Sequence, residues 1–395
     1  MVSLVTLFIP LLALWLWWPI RGWTRRQRAL LALATALLGC APALLLRALQ
    51  AGTMDYPTLA RLQVPGGWVL ACLLQLCLFV LLRDLGWLAA RLAGVQAWAR
   101  RLHAPAPSCT ALLLAMAVSG WGLHQALQPP QVREQVLHLP TLPESLDGLR
   151  LAVLADIHAS PINDADYVQT IVQRTQAARP DLIVLPGDLV DGDVASSGAS
   201  VAPLARLRAP LGVWAAPGNH EYYSGYDAWM ARFADLGLKV LANRTQMLEL
   251  GGTRLALSGL GDPVYGRTSR FNADPGVPEG VPPDIVAVSH QAGADRAAFH
   301  LLLAHQPKLA RDNAARGVDL QISGHTHGGH ILGMDRLLVA PANNGFVRGA
   351  YDVDGMRLFV SSGAGLWAGF AMRLGVAPAI DLLVLRPSPA LSAAR

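Results

Sequence analysis

The sequence predicts a membrane-embedded helical region of about four spans followed by an α/β domain, and three observations carry that expectation. Hydrophobic residues make up 53% and charged residues 15% of the 395 residues, against roughly 25% charged in ordinary soluble domains, so part of the chain is expected in lipid. The apolar excess sits in residues 1–130. Beyond it, short apolar runs alternate with amphipathic stretches, which is an α/β layout.

Four apolar stretches stand out, at about 2–20, 29–46, 67–82 and 108–127, within a helical region of residues 1–128. Each approaches the roughly 17 to 25 residues that a helix needs to cross the hydrocarbon core, the third being the shortest. Tryptophans gather towards their ends (Trp15, Trp17, Trp18, Trp23, Trp68, Trp87, Trp121), where amphipathic rings anchor at an interface. The first stretch lacks a basic start and runs into Trp17-Trp18-Pro19-Ile20-Arg21 rather than a small-residue cleavage site, so it is expected to stay attached.

Residues 1–130 hold ten arginines, no lysine and two acids (Asp55, Asp84), while the rest of the chain holds 22 bases and 25 acids. The basic charge therefore belongs to the edges of membrane spans, and no nucleic-acid partner is expected. Connections 21–28 and 83–107 carry four arginines each, and connection 47–66 carries two. Basic short loops stay in the cytoplasm, which puts the amino terminus and the domain after an even number of spans outside a bacterial inner (plasma) membrane. The four cysteines (Cys40, Cys72, Cys77, Cys109) all lie in the apolar half and read as small apolar side chains rather than a disulfide framework.

A linker at 129–148 contains Pro129, Pro130, Pro140 and Pro143. The α/β domain is expected over 149–386, with a loose tail at 387–395. Within it, 149–155, 181–185, 211–215, 254–258, 301–304, 318–322 and 358–360 read as strands. Helix patterns fill 165–178, with Asn163 as a cap, and 226–236.

Polar residues fall just after those strands. Asp156 and His158 follow the first, Gly187-Asp188 the second, Gly218-Asn219-His220-Glu221 the third, His305 a later one and Gly324-His325-Thr326-His327 the next. Loops at the carboxyl ends of strands can converge on one crevice. Each motif alone is weak: an Asp-x-His is usually a turn, a Gly-Asp a cap, a lone histidine a core residue. Their conjunction, in order and each at a strand end, reverses that reading.

Together, Asp156-Ile157-His158, Gly187-Asp188-Leu189-Val190-Asp191-Gly192, Gly218-Asn219-His220-Glu221, His305 and Gly324-His325-Thr326-His327 resemble the full signature of the calcineurin-like metallophosphoesterases, over roughly residues 149–385. The run Gly324-His325-Thr326-His327-Gly328-Gly329 is similar to the bacterial membrane-associated branch, with His330 where glutamine is frequent. The resemblance implies a sandwich of two β-sheets flanked by helices, with a dinuclear metal centre. It implies that Asp156, His158 and His327 hold one metal and that Asn219, His305 and His325 hold the other, with Asp188 bridging. His220 would stand by the leaving-group oxygen.

The donor types agree. Mixed oxygen and imidazole ligands without thiolate suit two divalent ions from among Mn, Fe, Zn and Ni. Such a pair can clamp phosphoryl oxygens and supply hydroxide near neutral pH for in-line attack, so no protein nucleophile is needed. His220 is of the right type to protonate the departing oxygen. The expected substrate is a phosphodiester or phosphomonoester, lipid-linked or sugar-nucleotide-linked where the bilayer presents it.

Asp191 and Glu221 read either as groups orienting the ligands or as solvated loop carboxylates, and His290 and His300 as structural. Within the Gly-rich stretch 363–370 and just beyond it, Leu366, Trp367, Phe370 and Met372 read as an apolar flap or as core. The rival function, a transporter or sensor with a non-catalytic esterase-like domain, would call for charged groups inside the spans; apart from the Arg83/Asp84 pair near a helix end the spans carry no Asp, Glu, Lys or Arg.

Overall fold

The computed structural model describes residues 2–388, so most of the expected tail at 387–395 lies outside the described residues. Two compact units divide the chain: residues up to Leu127 together with Ala368–Leu374, and Gln128–Trp367 with Gly375 onward.

The first unit is helical, with α1 (Val2–Trp17), α2 (Arg25–Gln50), α3 (Tyr56–Leu92), α4 (Gln96–Leu102) and α5 (Pro105–Ala126). Among the described residues, α2, α3 and α5 are long and apolar enough to cross a membrane, while α1 offers a shorter apolar stretch, Phe8–Trp17. Leu33, Leu37 and Leu113 each expose more than half their surface, at 57%, 62% and 67%. A water-facing bundle would bury such side chains; a lipid-facing one presents them outward.

The helix ends follow local chemistry. Thr24 accepts from the Gln27 amide while the Gln27 side chain accepts from the Thr24 amide, a capping box that starts α2. Asp55 caps α3 by accepting from the Thr58 amide, and Pro57 fits the first turn, where no N–H is needed. The helix therefore begins well before the span expected at 67, and Pro65 and Gly66 lie inside it. It also carries Arg83 and Asp84, which neutralise each other locally: Arg83 donates to Asp84 (2.8 Å) and Ser108 (2.7 Å), and Trp15 donates to Asp84 (3.0 Å).

Residues 368–374 belong to this helical unit, so of the residues read as a flap or as core, Phe370 and Met372 fall here and Leu366 and Trp367 in the second unit. A Cβ on Gly67 would fall 2.2 Å from the Ala368 carbonyl oxygen, and one on Gly122 would fall 2.6 Å from Met372 Cγ. Only glycine allows α3 and α5 to approach this segment so closely. The Arg373 amide donates to the Gly122 carbonyl (3.0 Å), and Met372 is fully buried.

The second unit contains two six-stranded sheets. The first orders β1 (Gln131–Leu139), β12 (Ala379–Pro387), β2 (Arg150–Val153), β3 (Leu182–Pro186), β4 (Val213–Ala216) and β5 (Lys239–Val240). The second orders β10 (Gly349–Val353), β11 (Met356–Val360), β9 (Leu320–Ser323), β8 (Phe299–Leu303), β7 (Thr253–Gly259) and β6 (Arg244–Leu250). Strand alternation sorts the side chains. Leu151, Val153 and Val184 of the first sheet meet Leu257, Leu301 and Ile322 of the second in one core. On the outer face of the first sheet, Ala152, Ile183 and Leu185 pack against α6 (Ala165–Ala177) and α9 (Tyr226–Asp235) through Ile171, Trp229 and Phe233. Leu302 and Leu358 of the second sheet pack against α10 (Ile285–Ala294) through Val288.

Residues 129–148, read from their prolines as a linker, are ordered: β1 pairs in parallel with β12 along its whole length. The helix cap differs as well. Asp164 rather than Asn163 caps α6, accepting from the Tyr167 amide.

Candidate metal centre

Strands β2, β3 and β4 are mutually parallel, as are β7, β8 and β9, so each set delivers its following loops to one edge. Asp156 and His158 follow β2, and Asp188 follows β3. Asn219 and His220 open α8 (Asn219–Tyr223) after β4, His305 follows β8, and His325 and His327 follow β9. Asp156, His158, Asp188, His325 and His327 all adopt left-handed backbone conformations, with φ between 48° and 74°. None is glycine, so each turn is strained and held by its surroundings, which is where function concentrates strain.

The surroundings are specific. The Asp156 amide donates to the Gly187 carbonyl and the His158 amide to the Asp188 carbonyl, joining two ligand loops. Asn163 donates to the Ile157, His158 and Leu366 carbonyls, and so pins the turn that carries Asp156 and His158. Gly363 has φ +78°, and a Cβ there would meet Asp156 Cβ at 2.8 Å, so only glycine lets this strand end pass behind the carboxylate. Arg348 donates to the Gly328 carbonyl (2.7 Å) and to Asp335 (2.5 Å), propping the loop that carries His325 and His327.

Three groups of donors result among the described residues, one of them His158, Asp191 and His220; the other two hold the predicted ligands. Asp156, His158 and His327 offer atoms within 4.8 Å of one another, as do Asp188, His305 and His325. In the first group, His158 Nε2 and His327 Nε2 face each other at 3.1 Å. In the second, His305 Nε2 lies 3.1 Å from both Asp188 Oδ2 and Asn219 Oδ1. Asp188 Oδ2 also lies 3.9 Å from His158 Nε2, which places this carboxylate between the groups. Each carboxylate accepts a backbone N–H on one oxygen: Asp156 Oδ1 from His325 and Asp188 Oδ1 from His220, both at 2.8 Å. The other oxygen of Asp156 is fully buried without a hydrogen-bond partner. A buried, unpartnered carboxylate oxygen is costly unless a cation satisfies it.

The imidazoles are oriented for ligation. His305 Nδ1 donates to the Pro186 carbonyl (2.9 Å) and His158 Nδ1 to Asp191 (3.1 Å), leaving both Nε2 lone pairs turned into the cluster. Burial would raise the Asp188 carboxyl, but the His305 and His220 imidazoles outweigh it and hold it well below the carboxylate range. Burial would likewise lower His305, yet Asp188 lifts it to about 10. Burial, then the His305 charge, press His325 down to about 3, leaving a neutral imidazole.

His220 stands beside the first group, its ring 4.6 Å from that of His158 and edge-on to it. Its Nδ1 donates to Asp191 Oδ1, the oxygen that also takes the His158 proton. Burial opposes its charge, but Asp188 and Asp191 raise it to about 9. Glu221 is fully buried and accepts from three backbone amides: Leu189 (2.7 Å), Gly218 (2.7 Å) and Asp188 (3.1 Å). Of the two roles open in the sequence for Asp191 and Glu221, both take the orienting one. His300 is buried against Ser258, and His290 is exposed on α10; neither touches the cluster. His330 and Trp367 were not separable from packing residues by sequence. Both stack on His327, at ring distances of 5.3 and 6.1 Å.

A family model for calcineurin-like phosphoesterases matches residues 149–329. A Danio rerio protein named transmembrane protein with metallophosphoesterase domain is 30% identical over 283 residues, covering 70% of this chain and 62% of that protein. Its Bos taurus namesake is 31% identical over 318 residues, covering 77% and 68%. A metallophosphoesterase of Helicobacter pylori (strain J99) is 31% identical over 268 residues, covering 67% and 66%. This chain spans about two thirds of the length of these relatives.

Proposed function

The chain belongs to the calcineurin-like phosphoesterase family, and we propose that it hydrolyses phosphate esters through two divalent ions. Asp156, His158 and His327 would hold one ion, Asn219, His305 and His325 the other, and Asp188 would touch both. The observation that carries this reading is the convergence of seven oxygen and imidazole donors, with the orphaned Asp156 oxygen among them. The donor set fits Mn, Fe, Zn or Ni. When bound, two such ions supply Lewis acidity and hydroxide from water near neutral pH.

The chain's own residues do the rest. Asp191 holds the Nδ1 proton of His220, so Nε2 is the position from which the proton is given to the departing oxygen. At neutral pH the raised His220 carries that proton. Glu221 keeps the Asp188 turn and the Asn219 turn in register through its three amide contacts.

The chain is a membrane protein, and an amphiphilic phosphate ester, lipid-linked or sugar-nucleotide-linked, is the substrate this setting favours. The arginines of 21–28 and 83–107 support an extracytoplasmic catalytic domain at a bacterial plasma membrane. An alkaline phosphatase reporter fused after Leu151 should be active in a bacterial host; a silent one would reverse this topology.

The test of the chemistry is hydrolysis of nitrophenyl and alkyl phosphodiesters by the full-length protein before and after metal removal. His220→Ala should retain both metals and lose about 10²- to 10⁴-fold in turnover on alkyl esters, with a smaller loss on nitrophenyl esters, which need little protonation. Equal losses on both would contradict the acid role, and metal-independent hydrolysis would contradict the metal centre.

A further inference from the structure

The residues between β7 and α10, 260–284, form a connection of about 25 residues without helix or strand. Connections beyond roughly 12 to 15 residues are uncommon in compact domains and usually functional when ordered. This one is ordered against α8, the short helix that carries His220. Tyr222 Oη donates to the Val281 carbonyl (2.6 Å) and accepts from the Asp262 amide (3.2 Å). Ser269 Oγ donates to the Tyr223 carbonyl (2.5 Å). The Asp227 and Ala273 amides both donate to Glu279, at 3.0 and 2.7 Å. At Gly225, φ +90°, a Cβ would fall 2.6 Å from the Phe271 carbonyl oxygen, so the close approach requires glycine.

What the loop brings to this place is a cation on an aromatic ring. The Tyr223 ring lies 5.5 Å from the His220 ring, one turn along α8. Arg267 Nη1 donates to Tyr223 Oη (3.4 Å), and its guanidinium carbon is 5.9 Å from the Tyr223 ring centre. Both side chains are exposed. The loop's acids are otherwise engaged: Asp262 is buried and accepts from Gln306 and Val264, Glu279 holds two amides, Asp274 accepts from Gly276, and Asp284 accepts from Ala287. The general acid marks where the leaving oxygen must be, so the group attached to that oxygen extends towards Tyr223 and Arg267.

We propose that Arg267, seated on Tyr223, is a specificity residue for leaving groups that carry their own negative charge, a second phosphate or a carboxylate. The inference rests on the hydrolase reading above. Guanidinium is suited to it because it offers a fixed fork of donors to phosphate or carboxylate oxygens and stacks on an aromatic face. The metals act on the phosphoryl group being attacked and read nothing of the far side, so discrimination there falls to the protein.

Three phosphodiesters test it with the metal-loaded full-length protein: one with a 4-nitrophenyl leaving group, one with a 3-carboxy-4-nitrophenyl leaving group and one diphosphate diester whose leaving group is a phosphate monoester. Arg267→Gln should lower kcat/KM for the charged leaving groups relative to the neutral one by about 2- to 5-fold, as expected of a solvent-exposed charge contact. Arg267→Lys should recover part of the loss. A fall confined to the diphosphate assigns the site to phosphate, and an equal fall for both assigns it to anions generally. Unchanged relative rates in Arg267→Gln would overturn the inference alone. Wild-type protein inert towards all three with two metals bound would overturn the hydrolase reading, and the inference with it.

Discussion

Replacing Glu221 with Gln changes one atom and leaves the shape, so its cost can be worked from the contacts. Glu221 is fully buried, with Oε1 accepting from Leu189 and Oε2 accepting from both Gly218 and Asp188. An amide has one oxygen. Placed at Oε2 it keeps two contacts and turns its NH₂ against the Leu189 N–H; placed at Oε1 it strands two amides instead. The better arrangement loses one hydrogen bond to a charged acceptor and buries a donor against a donor, roughly 2 to 3 kcal/mol. For a unit of this size, each kcal/mol shifts Tm by about 2 to 4 °C, so Tm should fall by about 4 to 12 °C. Because the lost Leu189 contact steadies the turn that begins at Asp188, metal affinity should also weaken by about 10- to 100-fold. The assay is thermal unfolding of the detergent-solubilised chain, with a parallel metal titration, both at pH 8. That is above the value of about 7 to which burial, then Asp188, push the Glu221 carboxyl. A Tm within about 1 °C of wild type together with unchanged metal affinity would refute the reasoning.

Gly363→Ala should cost metal at the Asp156 group, because the methyl would be driven into Asp156 Cβ at a residue already in left-handed backbone; elemental analysis should show less than full occupancy, and two retained ions would contradict it. His300, which burial lowers to about 4, takes up its proton later than the unfolded chain does near 6.5. Its contribution is therefore intact above pH 6.5 and is lost as pH falls towards 4, by up to about 3 kcal/mol. Melting curves from pH 7.5 to 5 should fall less steeply for His300→Gln than for wild type, and identical slopes would contradict the burial argument.

The residues proposed as ligands stood out because each polar motif interrupts an apolar run at its end, a pattern visible along a single chain. What depends on distance between loops did not. Asp191 and Glu221 could be read as solvated until the structure set one against two imidazoles and the other against three amides. Arg267 and Tyr223 are far apart in sequence and share no motif. Strand β1 was hidden by its charges, Arg133 and Glu134, and by a partner, β12, almost 250 residues away. The early start of α3 was hidden by Pro65 and Gly66, which read as loop; in the helix, Asp55 and Pro57 set the start instead. Leu366, Trp367, Phe370 and Met372 read as flap or core because bulky residues alternate with small ones in a loop-like stretch, and the room that Gly67 and Gly122 leave for Ala368 and Met372 is not visible along one chain.

Asp188 is proposed to serve two ions at once, since its Oδ2 lies 3.1 Å from His305 Nε2 and 3.9 Å from His158 Nε2. The most direct measurement is metal content per chain alongside phosphodiester hydrolysis for wild-type protein and Asp188→Asn. The wild type should hold two divalent ions and the variant fewer than two, with hydrolysis lost by at least about 10³-fold, a carboxylate's loss at both ions being larger than that of one oriented donor. Two ions retained with full activity in Asp188→Asn would contradict it.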